Sequence, residues 1–264
     1  MITLASDFPS PYPAAMRGVI CSRSDARIED VAHDFPRQDV RAAAFWLREV
    51  LPYFPPATHC VVVDPGVGTD RSAVVVEAGD HEIIAPDNGV AIPVARELAS
   101  EGDAGAESGD GPGTDDFDVW EIDYDDAATA SNTFHGRDVF APAAADVHDE
   151  GGPAALDRCH RTGDWVDLRF PEPDVVAKGA RGEVLVVDGF GNVITNIPGD
   201  SVGDSDGVRV DDELIPFRDA YAARDPGDRL VTVGSHGNVE LAVNRGRGDE
   251  AFGLSVGDSL LLEW

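Results

Sequence analysis

The sequence holds almost no lysine, little sulfur and no long apolar run. Lys178 is the only lysine, so every other basic residue is an arginine. Fifty acidic residues stand against 20 basic ones, for a formal charge of −30. Such a surface repels polyphosphates and argues against a nucleic-acid partner. Cys21, Cys60 and Cys159 are odd in number and show no paired CxxC spacing, so neither a disulfide framework nor a zinc site is indicated. They read as small buried hydrophobes. The seven histidines form no HxxxH or HExxH pattern, and no metal is expected. No apolar segment reaches membrane-spanning length, and "MITLASDF" carries neither a basic leader nor an apolar core. The expectation is a soluble cytoplasmic protein with no membrane partner.

What is present suffices for a packed core. Hydrophobic residues make up 42% of 264 positions, so the acid excess belongs on the surface rather than in a disordered chain. A salt-rich cytosol would screen the self-repulsion, which suggests a halophilic protein.

Strand and helix signals alternate through the first part of the chain. A short apolar run, Ile2 to Ala5, ends at Ser6-Asp7. Helical spacing follows the Pro-rich turn at 9–13, with Ala14, Ala15, Gly18 and Val19 as a close-packing face. Ala26 to Ala32 reads as a strand. Asp39 suits the N-cap of a helix from Val40 to Leu51, ended by Pro52. Strands are expected at Cys60–Val63, Ala73–Glu77, Glu82–Ala85 and Asp118–Asp123, and helices after Pro86-Asp87-Asn88-Gly89 and over Asp138–His148. Ser100 to Asp116, rich in Gly and acid, reads as a solvated loop. Prolines and glycines then mark a linker, after which the pattern is all β. The fold class is α/β: an N-terminal α/β sheet domain over 1–170, a linker over 171–181, and a smaller C-terminal barrel-like β domain over 182–264.

The stretch from Val61 to Val76, "VVVDPGVGTDRSAVVV", places Asp64 and Arg71 between two apolar runs. In α/β sheets, loops at the carboxyl ends of strands gather ligand-binding groups over a rigid base. Asp64-Pro65-Gly66 fits a plain turn equally well, with Arg71 its ordinary partner. "HGRD" at 135–138 similarly fits a helix start capped by Asp138, with His135 merely packed.

Taken together, "ASDFPSPYPAAMRGVI", "VVVDPGVGTDRSAVVV", "NTFHGRDVFAPAAA", "VVDGFGNVITN" and "VGSHGNVELAVNRG" resemble the S-adenosylmethionine hydroxide adenosyltransferases, relatives of the enzymes that attack the same substrate with fluoride or chloride. The resemblance spans nearly the whole chain in order. It implies hydrolysis of S-adenosylmethionine to adenosine and methionine, without a cofactor, in a homotrimer whose sites lie between subunits. The family's Asp, Arg and His set corresponds to Asp64, Arg71 and His135 as catalytic residues. Asp7 corresponds to the ribose-binding aspartate, Phe190 and Asn192 to adenine contacts, and Ser235 to a contact at the methionine end. In residue terms these also fit an N-cap for Asp7, a hairpin turn for "DGFGN" and a turn for Ser235. His135 can take a proton from water with Asp64 orienting it, or Asp64 and Arg71 can together hold a hydroxide-like nucleophile. A chloride adenosyltransferase and a nonenzymatic adenosyl-ligand binder are the alternative readings. Two departures from the family are visible: Ser10 stands before Pro11-Tyr12 where an aspartate is usual, and His236 replaces an arginine found in some relatives.

Overall fold

The computed structural model describes residues 1–102, 116–124, 131 and 133–264, so most of the acidic loop expected at 100–116 lies outside the described residues. The chain divides into two compact units, Met1–Arg169 and Phe170–Trp264.

The first unit is a seven-stranded mixed sheet with helices packed on it. In chain order its elements are β1 (Ile2–Ser6), α1 (Tyr12–Cys21), β2 (Ile28–Ala32), α2 (Val40–Val50), β3 (Thr58–Val62), β4 (Ala73–Ala78), β5 (His81–Pro86), α3 (Ile92–Gly102), β6 (Phe117–Ile122), α4 (Ala141–Glu150) and β7 (Cys159–Arg161). The sheet order is β2-β1-β3-β5-β4-β6-β7. β2, β1, β3 and β5 run parallel to their neighbours, and β4, β6 and β7 complete the sheet antiparallel. β1 and β3 are buried at every position, as strands covered on both faces must be. Ile2, Leu4, Cys60 and Val62 share one core with Met16 and Ile20 of α1 and with the alanines of α4. Those alanines let α4 approach the sheet closely, which larger side chains would prevent. α2 and α3 pack on each other, and α3 lies against β4 and β6.

Local signals account for the element ends. Asp39 caps α2 through a 2.9 Å bond from Ala42 N to its Oδ1. Gly151, at φ +77°, closes α4 in the left-handed conformation that glycine adopts freely. Two expectations fail. The buried face of α1 is Pro13, Met16 and Ile20, not the Ala14/Ala15/Gly18/Val19 stripe. The larger Met16 and Ile20 win the core because they remove more apolar area from water. Cys21, at the end of that helix, is exposed. Cys60 and Cys159 are buried as expected, and burial pushes the Cys60 thiol up to about 12.

The second unit is all β: β8 (Asp174–Val176), β9 (Gly179–Val187), β10 (Val193–Pro198), β11 (Gly207–Val210), β12 (Glu213–Pro216), β13 (Arg229–Val233), β14 (Asn238–Val243) and β15 (Ser259–Glu263), with a short helix α5 (Gly248–Phe252). The strand path β12-β11-β15-β9-β10-β14-β13 closes on itself. Phe217, just past β12, bridges Val231 of β13, and Arg218 N donates to Val231 O at 2.9 Å. Closure leaves few unpaired edges. The segment expected as a linker carries β8 and the start of β9. Among the described residues no helix is long and apolar enough to cross a membrane.

His59 of β3 is fully buried, bonded to Thr3 Oγ1 at 2.7 Å and to His81 Nδ1 at 2.9 Å. Burial, then the neighbouring His81 and the chain's amino terminus, lower its pKa to about 3. The folded state therefore holds this imidazole neutral while the unfolded chain protonates it, so stability falls as pH drops from about 6.5 toward 3. Urea midpoints measured across that window are expected to decline, and His59→Phe is expected to flatten the slope by up to about one proton.

Candidate functional site

β1 is the point where the sheet reverses direction. The chain goes from β1 to its neighbour β2 on one side, then returns to β3 on the other, and the crevice outside the carboxyl ends of two such strands is where open α/β sheets bind ligands. Asp7 follows β1 and Asp64 follows β3, and the register pairs Ser6 with Val62. The antiparallel strands bring further groups to this same end of the sheet. Ala73 pairs with Pro86 and with Ile122, so Arg71, Asp87 and Tyr124 come to this end too.

The Asp64 side chain is only 6% exposed and lies 3.2 Å from Arg71 Nε. Gly66 N donates to its Oδ1 at 2.9 Å. A Cβ at position 66 would run into the Arg71 guanidinium, so glycine is what admits the arginine beside the carboxylate. Arg71 Nη1 also donates to Asp87 O at 3.3 Å, and its own carbonyl accepts from Tyr124 Oη at 3.0 Å. Asn88 Nδ2 donates to Val63 O at 2.8 Å and fixes the residue before Asp64. Burial raises the Asp64 pKa, outweighing the Gly66 N–H, the Arg71 guanidinium and the nearby His135 ring, while Asp7 raises it further.

His135 is 4% exposed, and its ring stands edge-on to Tyr124 with centroids 5.8 Å apart. It precedes a π-helical turn, Gly136–Phe140, that leads into α4; such turns are common at functional sites. Asp138 does not cap this helix. Its carboxylate takes two bonds from Arg137, at 2.6 and 2.7 Å. Asp7 is not an N-cap either: its Oδ2 accepts from Gln38 N at 2.6 Å.

Asp7, Asp64 and His135 line one cavity of about 470 Å³, together with Phe8, Tyr12 and Arg37. Arg71 is not among its lining residues and stands behind Asp64. Phe8, Tyr12 and Phe134 meet edge to face around one wall, with centroids 5.5 to 6.2 Å apart. Arg37 was not legible as a site residue because it lies in none of the motifs, whereas Tyr12 lies in the first motif and reads there as part of its Pro-rich turn. Among the described residues no group of three His, Cys, Asp or Glu is placed to hold a metal ion.

Phe190, Asn192 and Ser235 belong to the second unit. Phe190 is 80% exposed at the tip of the β9–β10 hairpin, and Ser235 is exposed in the β13–β14 turn. Asn192 Nδ2 donates to Asp188 Oδ2 at 3.0 Å and lies 3.5 Å from Tyr221 Oη. Tyr221 in turn donates to Glu240 Oε1 at 2.6 Å, and His236 Nε2 lies 3.5 Å from Glu240 Oε2. Burial, and then Glu240, push the Tyr221 hydroxyl's pKa up. This network, buried at Asn192 and Glu240 but exposed at Tyr221, joins the neighbourhoods of Asn192 and Ser235. Its one advance signal is Glu240, an acidic residue inside the apolar run "VELAV".

A family model described as SAM hydroxide adenosyltransferase N-terminal domain matches residues 2–157, and its C-terminal companion matches 182–261. The chain belongs to the SAM hydroxide adenosyltransferase family. A protein from Salinispora tropica named (R)-S-adenosyl-L-methionine hydrolase is 37% identical, covering 94% of this chain and 91% of its own length. One of the same name from Thermus thermophilus is also 37% identical, covering 96% and 95%. A crystal structure of an uncharacterised conserved protein from Thermotoga maritima superposes over 100% of both chains with a TM-score of 0.80 at 32% identity.

The raised pKa of Asp64 has a cost in stability. Because the folded state prefers the protonated acid, its contribution improves as pH falls through that pKa and is unfavourable at neutral pH. Asp64→Asn is accordingly expected to melt above the wild type at pH 7, and calorimetry at descending pH should show the two proteins converge.

Proposed function

We propose that this chain hydrolyses S-adenosyl-L-methionine to adenosine and L-methionine by in-line attack of water at ribose C5′. The observation that carries this reading is the convergence of Asp7, Asp64 and His135 on one cavity at the switch point of the sheet. The similarity to proteins named for this hydrolysis supports it. In the reaction the water oxygen bonds to C5′ as the C5′–S bond breaks, its electron pair passes to the sulfonium sulfur, and one water proton goes to a base. The positive sulfur makes the thioether a good leaving group, so the protein need only place water, take its proton and exclude solvent.

Asp64 Oδ1 is engaged by Gly66 and Arg71, which leaves Oδ2 to orient the water. His135 receives the proton. Arg71 acts through Asp64 as a positioning residue, holding the carboxylate in place. Asp7 accepts hydrogen bonds from the ribose hydroxyls. In the second unit, Phe190 offers an adenine-stacking face, the Asn192 amide a purine-edge contact, and Ser235 a hydroxyl for the methionine end. The network through Asp188, Tyr221 and Glu240 pre-orients the Asn192 amide. No separate cofactor enters this scheme. The same reading assigns a homotrimer with sites between subunits, no nucleic-acid partner, and a cytoplasmic, halophilic setting.

In 18O-labelled water, the label is expected in the adenosine 5′-hydroxyl. Label in neither product, or release of 5′-chloroadenosine in chloride without adenosine, would contradict the reading; binding without turnover would make the protein a ligand binder. Asp64→Ala and His135→Ala are each expected to lower kcat by about 100-fold or more. The halophilic assignment predicts a melting temperature that rises with KCl from dilute buffer into the molar range, because a charge of −30 repels itself unless screened. A salt-independent melting temperature would remove it.

A further inference from the structure

We propose that Arg37 reads the carboxylate of the substrate's amino-acid end, and so separates S-adenosylmethionine from sulfonium nucleosides that lack that group. This deepens the hydrolase reading and rests on it. Among the described residues Arg37 is the one arginine or lysine lining the cavity, which the carboxylates of Asp7 and Asp64 also line. Elsewhere in the first unit arginines are neutralised at short range: Arg17 by Asp30, Arg96 by Asp167 and Arg158 by Asp146. Arg37 makes no ion pair or hydrogen bond among the described residues. In a chain with 50 acidic residues, a guanidinium left without a carboxylate beside a cavity is available for an anion from outside.

The backbone holds Arg37 there. Phe35 is buried on one side of it, and Asp39 caps α2 on the other. Between them Gln38 takes φ +61°, a conformation that non-glycine residues seldom adopt and that clusters at functional sites. That turn aims the Gln38 N–H at Asp7 Oδ2, 2.6 Å away, and ties Arg37 to the ribose-binding aspartate. S-adenosylmethionine carries one anionic group, its α-carboxylate, which Asp7 and Asp64 repel and which the planar guanidinium fork matches.

The test compares wild type, Arg37→Gln and Arg37→Lys on S-adenosylmethionine and on its decarboxylated analogue, by adenosine release and by calorimetric binding. Arg37 is exposed and unpaired, so all three proteins are expected to melt together. Arg37→Gln should raise KM and Kd for S-adenosylmethionine about tenfold or more with kcat little changed, and leave the decarboxylated analogue within about twofold; Arg37→Lys should recover part of the loss. An unchanged KM and Kd, or an equal loss on both compounds, overturns the inference while leaving the hydrolase reading intact. If the wild type binds S-adenosylmethionine without releasing adenosine, the hydrolase reading fails, and the Kd comparison alone judges Arg37. If it neither binds nor cleaves it, both fail.

Discussion

A carboxylate kept out of water governs the rest of this site. Asp64 leaves a fully buried strand and enters a turn where a backbone N–H, a guanidinium and the nearby His135 ring compensate its lost hydration. Desolvation of a charge is expensive unless it is paired and hydrogen-bonded, and here it still outweighs the compensation, since the acid's pKa stays raised. The surrounding residues can be understood from that constraint. Gly66 makes room for Arg71, the Asp87 carbonyl and Tyr124 hold the arginine and its backbone, and Asn88 fixes Val63. A carboxylate with a raised pKa that lines a cavity with an imidazole is the pattern expected of the proposed proton-handling site.

The sheet supplies the geometry. A reversal of strand order between β2 and β3 leaves a crevice above β1, and antiparallel β4 and β6 deliver Arg71 and Tyr124 to the same end of the sheet. Three distant segments thus converge because the register of the strands brings them together. The helix that begins beyond His135 is alanine-rich and packs against β1 and β3, which brings its amino-terminal turn close to the strand ends.

Much of this was legible in the sequence, and for physical reasons. Apolar runs such as Val61–Val63 and Val74–Val76 have few stable solutions besides buried strands, and Asp39 before a helical stripe is a strong cap signal. The Asp64, Arg71 and His135 cluster stood out because polar residues interrupted apolar runs or recurred in family motifs. Less visible was what depends on three-dimensional closure. The face that α1 buries follows from the volumes of Met16 and Ile20, not from the small residues beside them. Arg37, Gln38 and Tyr221 lie far along the chain from Asp7 and Asn192, and the left-handed turn at Gln38 has no glycine to announce it.

The central claim is that Asp7, Asp64 and His135 together surround the ribose of a bound nucleoside, with space for one water at C5′. A crystal structure of the protein soaked with adenosine and methionine tests it most directly. The account predicts the ribose hydroxyls on the Asp7 carboxylate and the adenosine 5′-oxygen, which occupies the position of the attacking water, within hydrogen-bonding distance of Asp64 or His135. Adenosine bound elsewhere, or with its C5′ turned away from both side chains, would contradict it.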